Sequence, residues 1–209
     1  MKAFKIFFFS FAMVLFAFTA AQAIPIPALG DLTVDFRTSD WTGAYNQTSW
    51  TVGNVTATAL PTGSKLYRDN VDGLGVLGGE PDEIDHAEKI QVNFAAGRMY
   101  LRGVWLTDLY ESPDGAGDPL GEHGTVLING SYLFDFYGEY SDQANGEQYL
   151  DFGGPYLVTS ALFSVVDYQG SLTDNDYSVA GFVGVPEPIT LLLLGFGLVG
   201  LAGVRRFKK

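Results

Sequence analysis

Asp82, Glu83, Asp85 and Glu88 place four carboxylates within seven positions of the glycine-dotted stretch DNVDGLGVLGGEPDEIDHAE, residues 69–88. Calcium takes six to eight oxygen ligands, often from carboxylates and carbonyls of a pliable turn. Crowded carboxylates repel one another unless a cation or solvent screens them. Two readings therefore fit: a calcium loop using these four residues, with Asp69 and Asp72 able to contribute, or a solvated acidic turn. The ligand spacing of an EF-hand is absent. A second acidic run, Glu111 to Asp118, reads as a long exposed loop whose Gly115, Gly117 and Pro119 are turn residues. Only His86 and His123 could act as neutral-pH bases, and both sit in loop-like surroundings. The chain has no Gly-x-Ser-x-Gly elbow, no His-Glu-x-x-His helix and no cysteine, so thiolate chemistry and disulfides are impossible. Paired acids for glycoside hydrolysis would be recognised by separation in space, which sequence does not give. The expectation is a protein that is not an enzyme.

The other chemically pointed residues lie at the C-terminus. Pro186-Glu187-Pro188 leads into an uncharged run, residues 189–204, and Arg205, Arg206, Lys208 and Lys209 follow. As a helix, that run would be about 24 Å long. This is slightly short of the roughly 30 Å hydrocarbon core, a gap that snorkelling arginines and modest thinning can cover. A buried core helix has a similar length, but the basic end and the rigid lead-in argue against it. The basic cluster favours a cytoplasmic C-terminus. Proline disfavours helix at the residue before it, so 185–188 should be extended.

Together, Pro186-Glu187-Pro188, the run Leu191 to Leu194, the glycines at 195, 197, 200 and 203, and Arg205-Arg206 resemble a PEP-CTERM sorting domain. The resemblance covers residues 185–209 alone. It implies a Gram-negative-type bacterial protein, exported through the inner membrane and handled by an exosortase, a membrane-embedded processing enzyme. It further implies recognition of the tail, cleavage near Pro186-Glu187-Pro188, and delivery to the cell surface or its exopolysaccharide matrix.

The N-terminus agrees with export. Lys2 and Lys5 precede an apolar stretch, and Ala21-Gln22-Ala23 is a small-x-small cleavage site, so residues 1–23 read as a signal peptide. What remains, residues 24–184, fits one domain. It holds six Lys and Arg against 23 Asp and Glu, a net charge of −17. Such a domain binds neither nucleic acid nor an anionic membrane by charge attraction. At this size a core can bury about 70% of the unfolded chain's surface and needs no disulfide.

The elements that must position these residues read as β-structure. Gly, Asn, Asp and Pro recur every eight to twelve residues, and no long stretch keeps a 3.6-residue apolar period. The expected strands are Leu32–Arg37, Ser49–Leu60, Lys65–Arg68, Lys89–Phe94, Met99–Leu109, Thr125–Ile128, Ser131–Tyr137, Gln148–Phe152, Leu157–Tyr168 and Tyr177–Val183. Asn129-Gly130 between apolar runs predicts a two-residue type I′ hairpin. The fold expected is all-β, a jelly-roll-like β-sandwich with a smaller barrel as the rival, followed by a transmembrane helix over about 189–204. Trp41, Trp50, Trp105, Tyr132, Phe134, Phe136 and Tyr156 are core packing, or in part a sugar-stacking platform. The function expected is a non-enzymatic surface or exopolysaccharide-matrix protein. The alternatives are a carbohydrate-binding module, with or without calcium, and a glycan-active hydrolase or lyase.

Overall fold

The computed structural model describes residue 28 and residues 32–78, 83–95, 99–110, 121–138, 146–166 and 175–185. Within these the chain is all-β, with one short 3-10 helix at Ser39–Ala44. One antiparallel sheet contains β1 (Val34–Asp35), β4 (Leu66–Arg68), β5 (Leu74–Val76), β7 (Met99–Thr107), β10 (Gln148–Val158) and β12 (Ser178–Gly184). Its order is β10-β7-β12-β5-β4, with β1 also paired to β12. The second contains β2 (Ser49–Val52), β3 (Val55–Leu60), β6 (Lys89–Phe94), β8 (His123–Ile128), β9 (Tyr132–Tyr137) and β11 (Ser160–Val165). Its order is β2-β3-β6-β11-β8-β9.

Alternation decides which face is buried. In β6, Ile90, Val92 and Phe94 point to the core, as do Ala161, Phe163 and Val165 in β11. Leu101, Val104 and Leu106 of β7 answer from the other sheet. The ring of Phe182 on β12 lies 5.3 Å from Phe94 and 5.7 Å from Phe163, so the two sheets share one core. Aromatic pairs at such distances add to the burial energy. From β5 onward the chain changes sheet at every connection except the β8–β9 hairpin. The connections therefore collect at two ends. At one end lie 53–54, 95, 129–131 and 159, together with Thr33 and Val185; this is the tail-side end. The opposite, far end gathers 61–65, 83–88, 108–110, 121–122 and 175–177.

Several expected strands are corrected. Ser49–Leu60 is two strands, because Gly53 takes a φ of 58° and Val52 pairs with Val55 across a tight turn. β10 runs on through Gly153-Gly154-Pro155 with a register shift between Asp151 and Tyr156. Proline is tolerated there because β10 is an edge strand. Leu157 and Val158 thus belong to β10, and the break falls at Thr159, where the chain passes to β11. β5 was not expected, since Leu-Gly-Val inside an acidic, glycine-rich stretch gives no strand pattern. It is wholly buried against β12 and β4. Asn129 and Gly130 do adopt positive φ, 54° and 65°. The register pairs Ile128 with Tyr132, however, so the hairpin loop has three residues rather than two.

Candidate functional site

The far end concentrates carboxylates. Glu122 is 2% exposed, its carboxylate accepts the Tyr110 N–H, and its own N–H donates to the Tyr110 carbonyl at 3.0 Å. Burial first, then the charge of Asp176 and a hydrogen bond with it, push its pKa up to about 10. Asp176 is itself 9% exposed. Glu122 therefore keeps its proton at neutral pH, which avoids a second negative charge beside Asp176. Tyr110 is shifted up by burial and by the fields of Asp108, Glu122, Asp72 and Glu83, so five acids crowd this end. Of the four residues expected to ligate calcium, Asp82 lies outside the described residues. Glu88 folds back so that its carboxylate accepts the Asp85 N–H at 3.2 Å, and burial raises its pKa. Glu83 is instead placed towards Tyr110 and Glu122, and its carbonyl accepts the Val76 N–H. Among the described residues, no three His, Cys, Asp or Glu stand close enough together to hold a metal. This pair was not anticipated, because Glu122 and Asp176 are 54 positions apart in sequence.

The tail-side end is where the last described strand ends. β12 lies between β7 on one side and β1 and β5 on the other. Its end is tied on both flanks: the Gly184 N–H donates to Thr33 Oγ1 at 2.8 Å, and the Val185 N–H donates to the Tyr100 carbonyl at 2.9 Å. Pro186 follows, without an N–H to continue the ladder. Residues 184–206 match a PEP-CTERM protein-sorting motif. No curated protein and no solved structure matches the chain.

The PEP-CTERM motif thus begins on the last residue of the central strand, and its Pro186, Glu187, Pro188, Arg205 and Arg206 lie outside the described residues, as does the expected signal peptide. Among the described residues no helix is long and apolar enough to cross a membrane. Beside the start of the PEP-CTERM motif, a cleft of about 310 Å³ is bordered by Thr33, Trp41, Val52, Asn54 and Met99 and by Asp35 and Asp40. Asp35 grips the Arg37 guanidinium through both oxygens, at 2.9 and 3.0 Å. Of the aromatic residues singled out in sequence, Trp41 and Phe136 are core. Tyr132 and Phe134 of β9 meet Tyr156 of β10 edge-to-face, at 5.0 and 5.6 Å between ring centres, and link the two sheet edges. Tyr132 remains half exposed, as does Tyr137, whose ring stacks on His123 at 4.0 Å.

Proposed function

We propose that this chain is the precursor of an exported, exosortase-processed surface protein of a Gram-negative-type bacterium. Its jelly-roll-like β-sandwich is a non-enzymatic component of the cell surface or exopolysaccharide matrix. The observation that supports this best is the junction: the PEP-CTERM motif starts on the final residue of the last described strand, β12. Cleavage near Pro186-Glu187-Pro188 therefore removes the tail without removing any described strand. The strand orders β5-β12-β7-β10 and β6-β11-β8-β9 support the jelly-roll comparison, since eight consecutive strands divide into two four-stranded sheets joined across the ends.

In this reading the apolar run 189–204 holds the precursor in the inner membrane and Arg205 and Arg206 set its orientation. The extended 185–188 segment is what the exosortase threads into its site, with Glu187 as a recognisable charge. The intact mass of protein recovered from the producing cell's surface tests it. A mass lacking residues 1–23 and the segment after about Pro188 supports the reading, and a mass retaining the basic tail removes it. Replacing Glu187, or Arg205 and Arg206 together, is expected to leave the protein in the inner membrane.

Carbohydrate binding is a second reading, favoured by the exposed rings of Tyr132 and Tyr137 on the edge strand β9. Loss of glycan-array signal in a Tyr132→Ala, Tyr137→Ala double variant supports it. The absence of any array signal for the native domain removes it.

A further inference from the structure

Only Pro186, Glu187 and Pro188 separate Val185, hydrogen-bonded to Tyr100, from the start of the apolar run at Ile189. Fully extended, the four steps from Val185 to Ile189 reach about 13–14 Å. The headgroup layer is itself roughly 5–8 Å thick on each side of the hydrocarbon core. With Ile189 in the hydrocarbon, the tail-side end is held within several ångströms of the headgroup layer even at full extension. The N-terminal side of the domain enters at the same end, where the Thr33 N–H donates to the Phe182 carbonyl at 2.9 Å. Thr33 and Val185, near the two ends of the described domain, thus lie at one end of the sandwich.

The chemistry of that end suits such contact. Its described turns, 53–54, 95, 129–131 and 159, contain no Asp or Glu. Asp40 stands at the flank, and Asp35 is neutralised by Arg37. The far end carries Glu83, Asp85, Glu88, Asp108, Glu122, Glu147 and Asp176 among the described residues. An anionic lipid surface repels that end and tolerates the other. Tyr100 and Tyr132, 45% and 50% exposed, both stand at the tail-side end. Tyrosine is a residue of the membrane–water boundary, with an apolar ring and a wet hydroxyl.

We propose that the tail-side end of the domain rests on the phospholipid headgroups while the precursor is membrane-held, with Tyr100 and Tyr132 at headgroup level and the acidic end turned away. This rests on the reading of residues 189–204 as the membrane-held segment. It also means that the processing enzyme must work in the narrow gap between the domain and the bilayer.

The chain has no cysteine, so single-cysteine probes are clean. Asn54→Cys and Ser131→Cys mark the tail-side end, Thr62→Cys and Ala87→Cys the far end, and all four positions are exposed. Six-residue strands hold the two ends roughly 20 Å apart. The full-length precursor, labelled with a fluorophore at each site in turn, is reconstituted in phosphatidylethanolamine–phosphatidylglycerol vesicles containing a headgroup-level quencher lipid. Severalfold stronger quenching at 54 and 131 than at 62 and 87 is the expected result. Equal quenching, or stronger quenching at the far end, in protein that floats with the vesicles overturns the proposal and leaves the tail reading intact. Protein that does not float with the vesicles overturns both.

Discussion

Two side chains, Glu122 and Asn129, do more than their sequence positions announce. Glu122 is held protonated by burial and by Asp176, with a pKa of about 10 against an ordinary value of 4.5. Between those values the folded state binds more protons at this site than the unfolded state. Stability from this group is therefore greatest at low pH and falls as pH rises, by up to about 1.4 kcal/mol per pH unit. Glu122→Gln keeps an acceptor for the Tyr110 N–H and has no charge to bury. We expect it to raise Tm at pH 8 and to flatten the decline in Tm between pH 5 and 9; a variant with an unchanged slope would show that other groups set it. Asn129 supplies the hairpin's positive φ, but its side chain also secures the corner where β10 passes to β11. Its Oδ1 accepts the N–H groups of Thr159 and Ser160 at 2.8 and 3.2 Å, and its Nδ2 donates to the Leu157 carbonyl at 2.8 Å. Asn129→Gly keeps the turn and removes these bonds. It should cost about 2 kcal/mol in urea denaturation, and a loss within experimental error would mean water replaces the amide.

At the scale of elements, β12 is the strand on which the sheet and the tail both depend. Phe182 meets Phe36, Phe94 and Phe163 at 5.3–6.0 Å, and all four rings are buried. Phe182→Ala should lose about 3–5 kcal/mol. A chain ending at Val185, by contrast, should melt within about a degree of the chain that includes the PEP-CTERM motif in detergent, since no described strand is lost; thermal unfolding of the three proteins separates these outcomes. Sequence showed this element well. The expected Tyr177–Val183 fell within one residue of β12 at each end because it is an apolar run, and β6 was placed residue for residue because it has a clean two-residue period. Less was legible where the signal is not periodic. β5 is Leu-Gly-Val, and its strand character comes from its neighbours β12 and β4. Pro155 read as a break, because sequence does not show that β10 is an edge. The tail motif was legible as an ordered set of residue types, whereas the Glu122–Asp176 pair depends on a pairing of distant loops that only the folded chain creates.

At the scale of the whole fold, charge follows topology. A chain that crosses between sheets at almost every connection collects its turns at two ends, and among the described residues the acids of the turns gather at one of them. Within a domain of net −17 over residues 24–184, the described charge is lopsided rather than uniform. Self-repulsion is then strongest at the far end, where Asp72, Glu83 and Asp108 converge on Tyr110 while Glu122 keeps its proton. Raising ionic strength from 0.01 to 0.1 M shortens the screening length from about 30 to 10 Å, which weakens repulsion between exposed acids of separate loops. Tm should therefore rise with sodium chloride over that range, and Glu83→Gln should reduce the rise by removing one of the converging charges. A Tm independent of salt in the native chain would mean that the far end is already screened from within. Magnesium and calcium at matched ionic strength extend the same experiment: equal Tm leaves screening as the whole effect, and an additional rise in calcium marks ligation by the carboxylates of residues 82–88.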